Sequence, residues 1–164
     1  MTKQAIPNVP ETDSAGVKIM PPSIFFCCLI NGITLNIFFT CHIMPENWLA
    51  LLITGIIIIA AGISFMMWGH ARFKSLGVNV PTDMPASQLV TDGAHQYSRN
   101  PMYVGFIAIL LGLGIAVDSV WMLVSALPMT LYLSFYVIPK EEAYLLRTFG
   151  TEFKTYCKYV RKWL

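Results

Sequence analysis

The chain has 164 residues, 55% of them hydrophobic and only 12% charged, with a formal net charge of +2. That length suits one domain, and that composition excludes an ordinary soluble globule; the small positive balance is no argument for a nucleic-acid partner. Four cysteines without a CxxC pair provide neither a disulfide framework nor a zinc set, so no metal is expected.

Residues 1–21 are rich in Pro and polar residues, lack periodicity, and read as a loosely ordered tail. A first apolar segment, 22–44, is long enough to cross a bilayer as a helix. It carries Cys28, Gly32, Asn36 and Thr40 at four-residue spacing, a small, polar face suited to close packing. Asn31 and Asn36 could instead line a ligand cavity. The second segment, 47–69, is almost uniformly apolar through four successive isoleucines and suggests no chemistry. Residues 70–100 form a loop with turn chemistry at Pro81-Thr82-Asp83 and Thr91-Asp92-Gly93, in which Leu89 and Val90 can tuck back against the bundle. Third and fourth apolar segments follow at 101–117 and 119–138, the latter with a kink predicted at Pro128. Beyond Pro139 the chain is amphipathic. A helix is predicted over 141–149, with Gly150 as its left-handed stop and Thr151 capping a second helix. That second helix would align Phe153, Tyr156, Cys157, Val160 and Trp163 on one face and carry Lys154, Lys158, Arg161 and Lys162, as an interfacial helix on an anionic leaflet does.

Nothing alternates as a barrel strand would, and an open sheet edge is intolerable in lipid. The fold expected is therefore all-α and integral to the membrane. Four transmembrane helices form two hairpins, joined by a loop and followed by amphipathic helices, with 22–164 a single domain. Every Lys and Arg lies in the tail, the central loop or the C-terminal segment, so both termini and that loop are expected in the cytoplasm.

Two polar islands stand at the mouths of these hairpins, where charge is normally avoided unless something polar is held there. Arg99-Asn100-Pro101-Met102-Tyr103-Val104-Gly105 opens the third segment, with Asn100 as helix cap and Pro101 at the first helical position. Its free amides suit a carboxylate or phosphate, and the Tyr103 ring suits a cation, although a plain helix start accounts for the motif equally well. Lys140-Glu141-Glu142 closes the fourth. Its carboxylates are either a favourable first turn or a grip for an ammonium group. His70 and His95 flank the loop without metal spacing, and Gly112-Leu113-Gly114 lies in a membrane segment where helix packing explains it.

Leu89-Val90-Thr91-Asp92-Gly93, the stretch from Arg99 to Gly105, and Glu141-Glu142 followed by Leu145, Phe149-Gly150, Glu152-Phe153, Tyr156 and Val160-Arg161-Lys162-Trp163 occur in a recognisable order. Together they resemble the isoprenylcysteine carboxyl methyltransferase and phospholipid methyltransferase superfamily. The resemblance implies a bacterial-type enzyme of the inner membrane that uses S-adenosylmethionine to methylate a lipophilic small molecule, with membrane lipids as partners. It assigns Gln88, Leu89 and Val90 to the cofactor's lining, Asn100, Pro101, Met102 and Tyr103 to its cradle, and Glu141 to its amino group. His95 stands where the family has an aromatic near the adenosine, and Tyr97 can compensate. The acceptor carries a carboxylate, thiol or amine; an amine calls for a base, for which His95 and Glu142 are the candidates. An NADPH-dependent membrane reductase and a small four-helix transporter or assembly protein are the alternatives. The transporter is disfavoured because no ionisable residue lies deep in a span.

Overall fold

The computed structural model describes residues 14–77 and 86–164, and the described residues form helices and turns without a strand. In chain order the helices are α1 (Pro21–Phe38), α2 (Trp48–Ser75), α3 (Pro101–Ala116), α4 (Val120–Val124), α5 (Ala126–Tyr132) and α6 (Ile138–Tyr159). 3₁₀ turns occupy Pro45–Asn47 and Gly93–Gln96, and a π turn at Leu133–Val137 joins α5 to α6. α1, α2 and the run Val120–Tyr159 are long and apolar enough to span a membrane, whereas α3 has 16 residues. The turn expected at 81–83 lies outside the described residues.

α3 is the central element, packed on α2 along one side and on α4 and α5 along the other, with α1 behind α4 and α5. The α2–α3 seam is built from glycine. Gly55, Gly62 and Gly69, seven residues apart, are the buried positions of α2, and they face Gly112, Ala108 and Pro101 of α3. A Cβ on Gly62 would come within 2.6 Å of the Ala108 Cβ, so the backbones approach as closely as small residues permit. The featureless second segment is thus the main partner of the helix that opens the site.

In α1 the four-residue face resolves into packing. Cys28 and Gly32 are buried, Gly32 lies against Met122 and Ser125, and Asn36 Oδ1 accepts from Ser119 Oγ at 2.7 Å. α1 ends at Phe38, six residues short of the expected limit, because the chain beyond it bonds elsewhere. Asp118, in the left-handed region at φ 51°, accepts from the amides of Ile43 and Met44 at 2.8 and 2.9 Å and pairs with His42. Val120 N donates to Cys41 O at 3.0 Å, closing a clasp between the turn after α1 and the turn after α3 at this far end of the bundle.

The fourth segment, expected as one kinked helix, follows one helical path with irregularities at Ser125 and at Leu133–Val137. α4 stops at Val124, the residue whose carbonyl the Pro128 ring would strike in a continuous helix. The π turn precedes Pro139, which has no N–H to give to the Phe135 carbonyl. The core surrounds this irregular run: Leu110, Met129, Leu133, Val137 and Ile138 are fully buried. Residues 14–20, expected as part of a loose tail, are instead docked. Val17 is 6% exposed in the same cluster, and Tyr132 Oη donates to Ile19 O at 2.6 Å.

Candidate functional site

At the end of the bundle opposite the Asp118 clasp, one cavity opens between the start of α3, the start of α6 and the loop before α3. Gln88, Leu89 and Val90 border it from the loop, and His95 from the 3₁₀ turn. Asn100, Pro101, Met102 and Tyr103 border it from α3, Glu141 and Glu142 from α6, and Phe153 and Tyr156 from beyond Gly150. The residues that the resemblance assigned to the cofactor, with His95 and Glu142, therefore border one hollow; His70 does not, nor does Tyr97, which is 60% exposed beside Trp68.

The loop is placed by two attachments. Arg72, in the last turn of α2, forms a bidentate pair with Asp92, its Nε donating to Oδ1 at 2.7 Å, and this holds the Asp92 carboxyl below its usual range. Ala86 N donates to Tyr144 Oη at 2.9 Å. Gly93 takes a φ of 62°, which turns the chain into the 3₁₀ segment and delivers His95 to the interior. His95 is 3% exposed, set edge-on to Phe73, and its carbonyl accepts from Tyr156 Oη at 2.7 Å. Burial pushes its pKa down to about 4, so the imidazole is neutral at physiological pH and a poor base.

Tyr103, one turn into α3, donates its hydroxyl to Glu141 Oε1 at 2.5 Å. This is one of two contacts that unite the polar islands, the other being Arg99 with Glu142. Burial pushes the Glu141 carboxyl up to about 7, against the Tyr103 hydrogen bond that favours its ionised form; neighbouring Glu142 pushes in the same direction as burial.

Three residues do other work than the sequence suggested. Asn100 occupies the cap position, but its side chain makes no capping bond; Nδ2 donates to Lys162 O at 2.9 Å. Its own carbonyl takes the amides of Tyr103 and Val104, both at 3.1 Å, so in the first turn only Met102 N–H lacks a partner among the described residues. Arg99 gives its backbone N–H to Arg161 O at 2.9 Å, Nη1 to Val160 O at 2.8 Å and Nη2 to Glu142 Oε1 at 2.5 Å. Glu142 also meets Lys162 at 3.3 Å, so its carboxylate is shared between two cations and is not free to take a proton from substrate.

The expected second helix is present: Gly150, at φ 51°, breaks the helical path, and helix resumes over residues 151–159. It ends at Tyr159, short of Val160 and Trp163; Val160 turns extended, and residues 160–162 lie along the 98–100 turn. Phe153 and Tyr156 face protein, at 5% and 9% exposure, and not a membrane surface. Strong intramolecular acceptors at 160–162 draw the chain out of the helix. A basic, aromatic sequence does not reveal that choice.

The family model described as phospholipid methyltransferase matches residues 50–152, from α2 to the middle of α6. The chain belongs to the phospholipid methyltransferase family. It is thereby a member of the isoprenylcysteine carboxyl methyltransferase-like superfamily of membrane methyltransferases, and an integral membrane protein. No curated protein and no solved structure matches it. The matched span contains the α2–α3 seam, the loop and both islands, whereas the strap at 160–163 and the docked segment at 14–20 lie outside it. Among the described residues no group of His, Cys, Asp and Glu is arranged to hold a metal ion.

Proposed function

We propose that this methyltransferase draws its methyl group from S-adenosylmethionine and delivers it, at the cytoplasmic face, to a lipophilic acceptor from the bilayer. The observation that carries the reading is the Tyr103–Glu141 pair at the meeting point of α3, α6 and the loop. The cavity's chemistry suits the cofactor. Glu141 takes the ammonium, the lone Met102 amide at the positive end of α3 takes the carboxylate, and Leu89, Val90 and Phe153 cover the adenosine. Two buried nitrogens on lining residues, His95 Nδ1 and Arg99 Nε, have no partner among the described residues, a cost that a polar ligand would relieve.

When bound, the cofactor supplies an electrophilic methyl on a sulfonium. The chain's contribution is to hold it in line with the acceptor and to exclude water. A carboxylate or thiolate acceptor needs no base. For an amine, His95 is a weak base and Glu142 is engaged, so the acceptor would have to arrive unprotonated or use Glu141. The reductase alternative needs a cation for a 2′-phosphate, and Arg99 spends its guanidinium on Val160 and Glu142.

Calorimetry of S-adenosylmethionine binding in detergent tests the reading. Glu141→Gln keeps the Tyr103 contact and removes the charge. Loss of a charge-assisted hydrogen bond of about 1.5–3 kcal/mol predicts affinity weaker by roughly tenfold to a hundredfold. Unchanged affinity would remove Glu141 from the site, and absence of binding by the unaltered protein would remove the cofactor.

A further inference from the structure

We propose that residues 15–17 form the wall of the acceptor subsite and that an acyl-chain-bearing acceptor enters by displacing this wall from the bilayer side. The proposal rests on the cofactor reading above and assigns the other half of the same cavity. Ala15 borders the cavity that holds Tyr103 and Glu141, and Val17 is buried in the cluster that includes Tyr103, Val137, Ile138 and Phe25. Around Val17 that cluster is apolar, with Phe25, Val137 and Ile138 buried in it. An alkyl chain fits here and a charged head does not.

The segment is held in a way that permits release. Among the described residues, no backbone–backbone hydrogen bond ties residues 14–19 to a helix. Its attachments are Lys140 Nζ to Gly16 O at 2.9 Å, Tyr132 Oη to Ile19 O at 2.6 Å, the Lys18 backbone N–H to the Tyr136 hydroxyl, and the buried Val17 side chain. Gly16 lies at φ 63° with open space around its Cα, as a pivot would. Lys140 is itself braced over the Tyr136 ring, 4.4 Å from its centroid, and Tyr136 stacks on Tyr132. On both sides of this latch the surface is apolar and exposed: Ile19 and Phe26 toward α1, Leu131 and Phe135 toward α5 and the π turn. The wall therefore stands between the cavity and a greasy exterior, latched by Lys140 and two tyrosines, Tyr132 and Tyr136.

Photolabelling in nanodiscs that contain a phosphatidylethanolamine with a diazirine on its acyl chain tests this. Mapping of the adducts should find label on 15–17 or Tyr103, increased severalfold in Lys140→Ala and in Val17→Ser. Tryptic cleavage after Lys18 should accelerate in the same variants. Label confined to outer positions such as Phe26 and Phe135, with both variants indistinguishable from the unaltered protein, would overturn the wall. Calorimetry with S-adenosylmethionine in the same nanodiscs keeps the two readings apart. A protein that takes label at 15–17 but binds no cofactor sinks the methyl donor and leaves the acceptor wall standing.

Discussion

Glu141 is asked to be two things: an acid neighbour for a buried tyrosine while the cavity is empty, and an anion when a cation arrives. Its carboxyl, pushed up to about 7 by burial, is largely protonated below neutrality in the empty protein. A cationic ligand selects the ionised form, so binding must release a proton wherever the empty protein holds one. S-adenosylmethionine affinity should therefore fall as pH drops from 7.5 to 5.5, by up to about tenfold per unit once well below 7. Calorimetry in two buffers of different ionisation heat should detect about half a proton released near pH 7. Glu141→Gln should lack both effects.

The same residue sets a stability trend of definite sign. Its folded-state pKa lies above the ordinary 4.5, so the folded protein binds more protons and stability declines as pH rises from about 4.5 to 7. His95, pushed down to about 4 from 6.5, acts oppositely: the unfolded chain binds more protons, and stability increases as pH rises through that window. Thermal melts in detergent should thus be flat between pH 5 and 6 and should steepen in Glu141→Gln, where only the histidine slope is left. Among the residues that line the cavity, those at 88–90, 95, 100–103 and 141 were legible because their order in the chain is distinctive. The true partners of Arg99 and Asn100 were not. These are the carbonyls of 160–162, which any residue could provide.

At the scale of elements, apolar length was enough to locate the membrane helices, and period was needed to see how they pair. α2 reads as uniform because isoleucines fill its lipid-facing surface, with Ile53, Ile56 and Ile57 exposed. The information lay in Gly55, Gly62 and Gly69 at sevenfold spacing, answered on α3 by Gly105 and Gly112. Since Pro101 packs on Gly69, this seam also fixes the height at which α3 presents Tyr103. Gly62→Leu would force α2 off α3, at a cost of about 1–3 kcal/mol for overpacking. The melting temperature and S-adenosylmethionine affinity should drop together. Ala60→Leu, on the exposed side of α2, should change neither. Equal effects of the two would mean that the seam is not what sets the helix pair. The irregularity of the fourth segment was half legible: Pro128 foretold a kink, but its place at Ser125 and the π turn before Pro139 follow from two prolines eleven residues apart in one packed run.

Across the whole molecule two ties of different kinds stand at opposite ends of α3. Asp118 gathers the amides of 43 and 44 beyond its last residue, and residues 160–162 hold the turn at 98–100 before its first. The second tie decides whether the cavity has a firm side, because Arg99 and Asn100 border the hollow and are anchored from behind. Most of that anchoring is backbone carbonyl: Arg161 O, Val160 O and Lys162 O receive Arg99 N, Arg99 Nη1 and Asn100 Nδ2. Lys162 adds an ion pair to Glu142 at 3.3 Å, with both side chains a quarter or more exposed, which limits it to about 0–1 kcal/mol. Truncation after Tyr159 and the substitution Lys162→Ala should therefore differ sharply. The first removes these three hydrogen bonds and a fourth from Ser98 Oγ to Lys162 O, at about 0.5–1.5 kcal/mol each, and should weaken S-adenosylmethionine binding by at least tenfold, with the helical circular dichroism signal retained. The second keeps every carbonyl in place and should cost less than threefold. Equal losses would assign the strap's effect to the Lys162 charge and not to the chain that carries it.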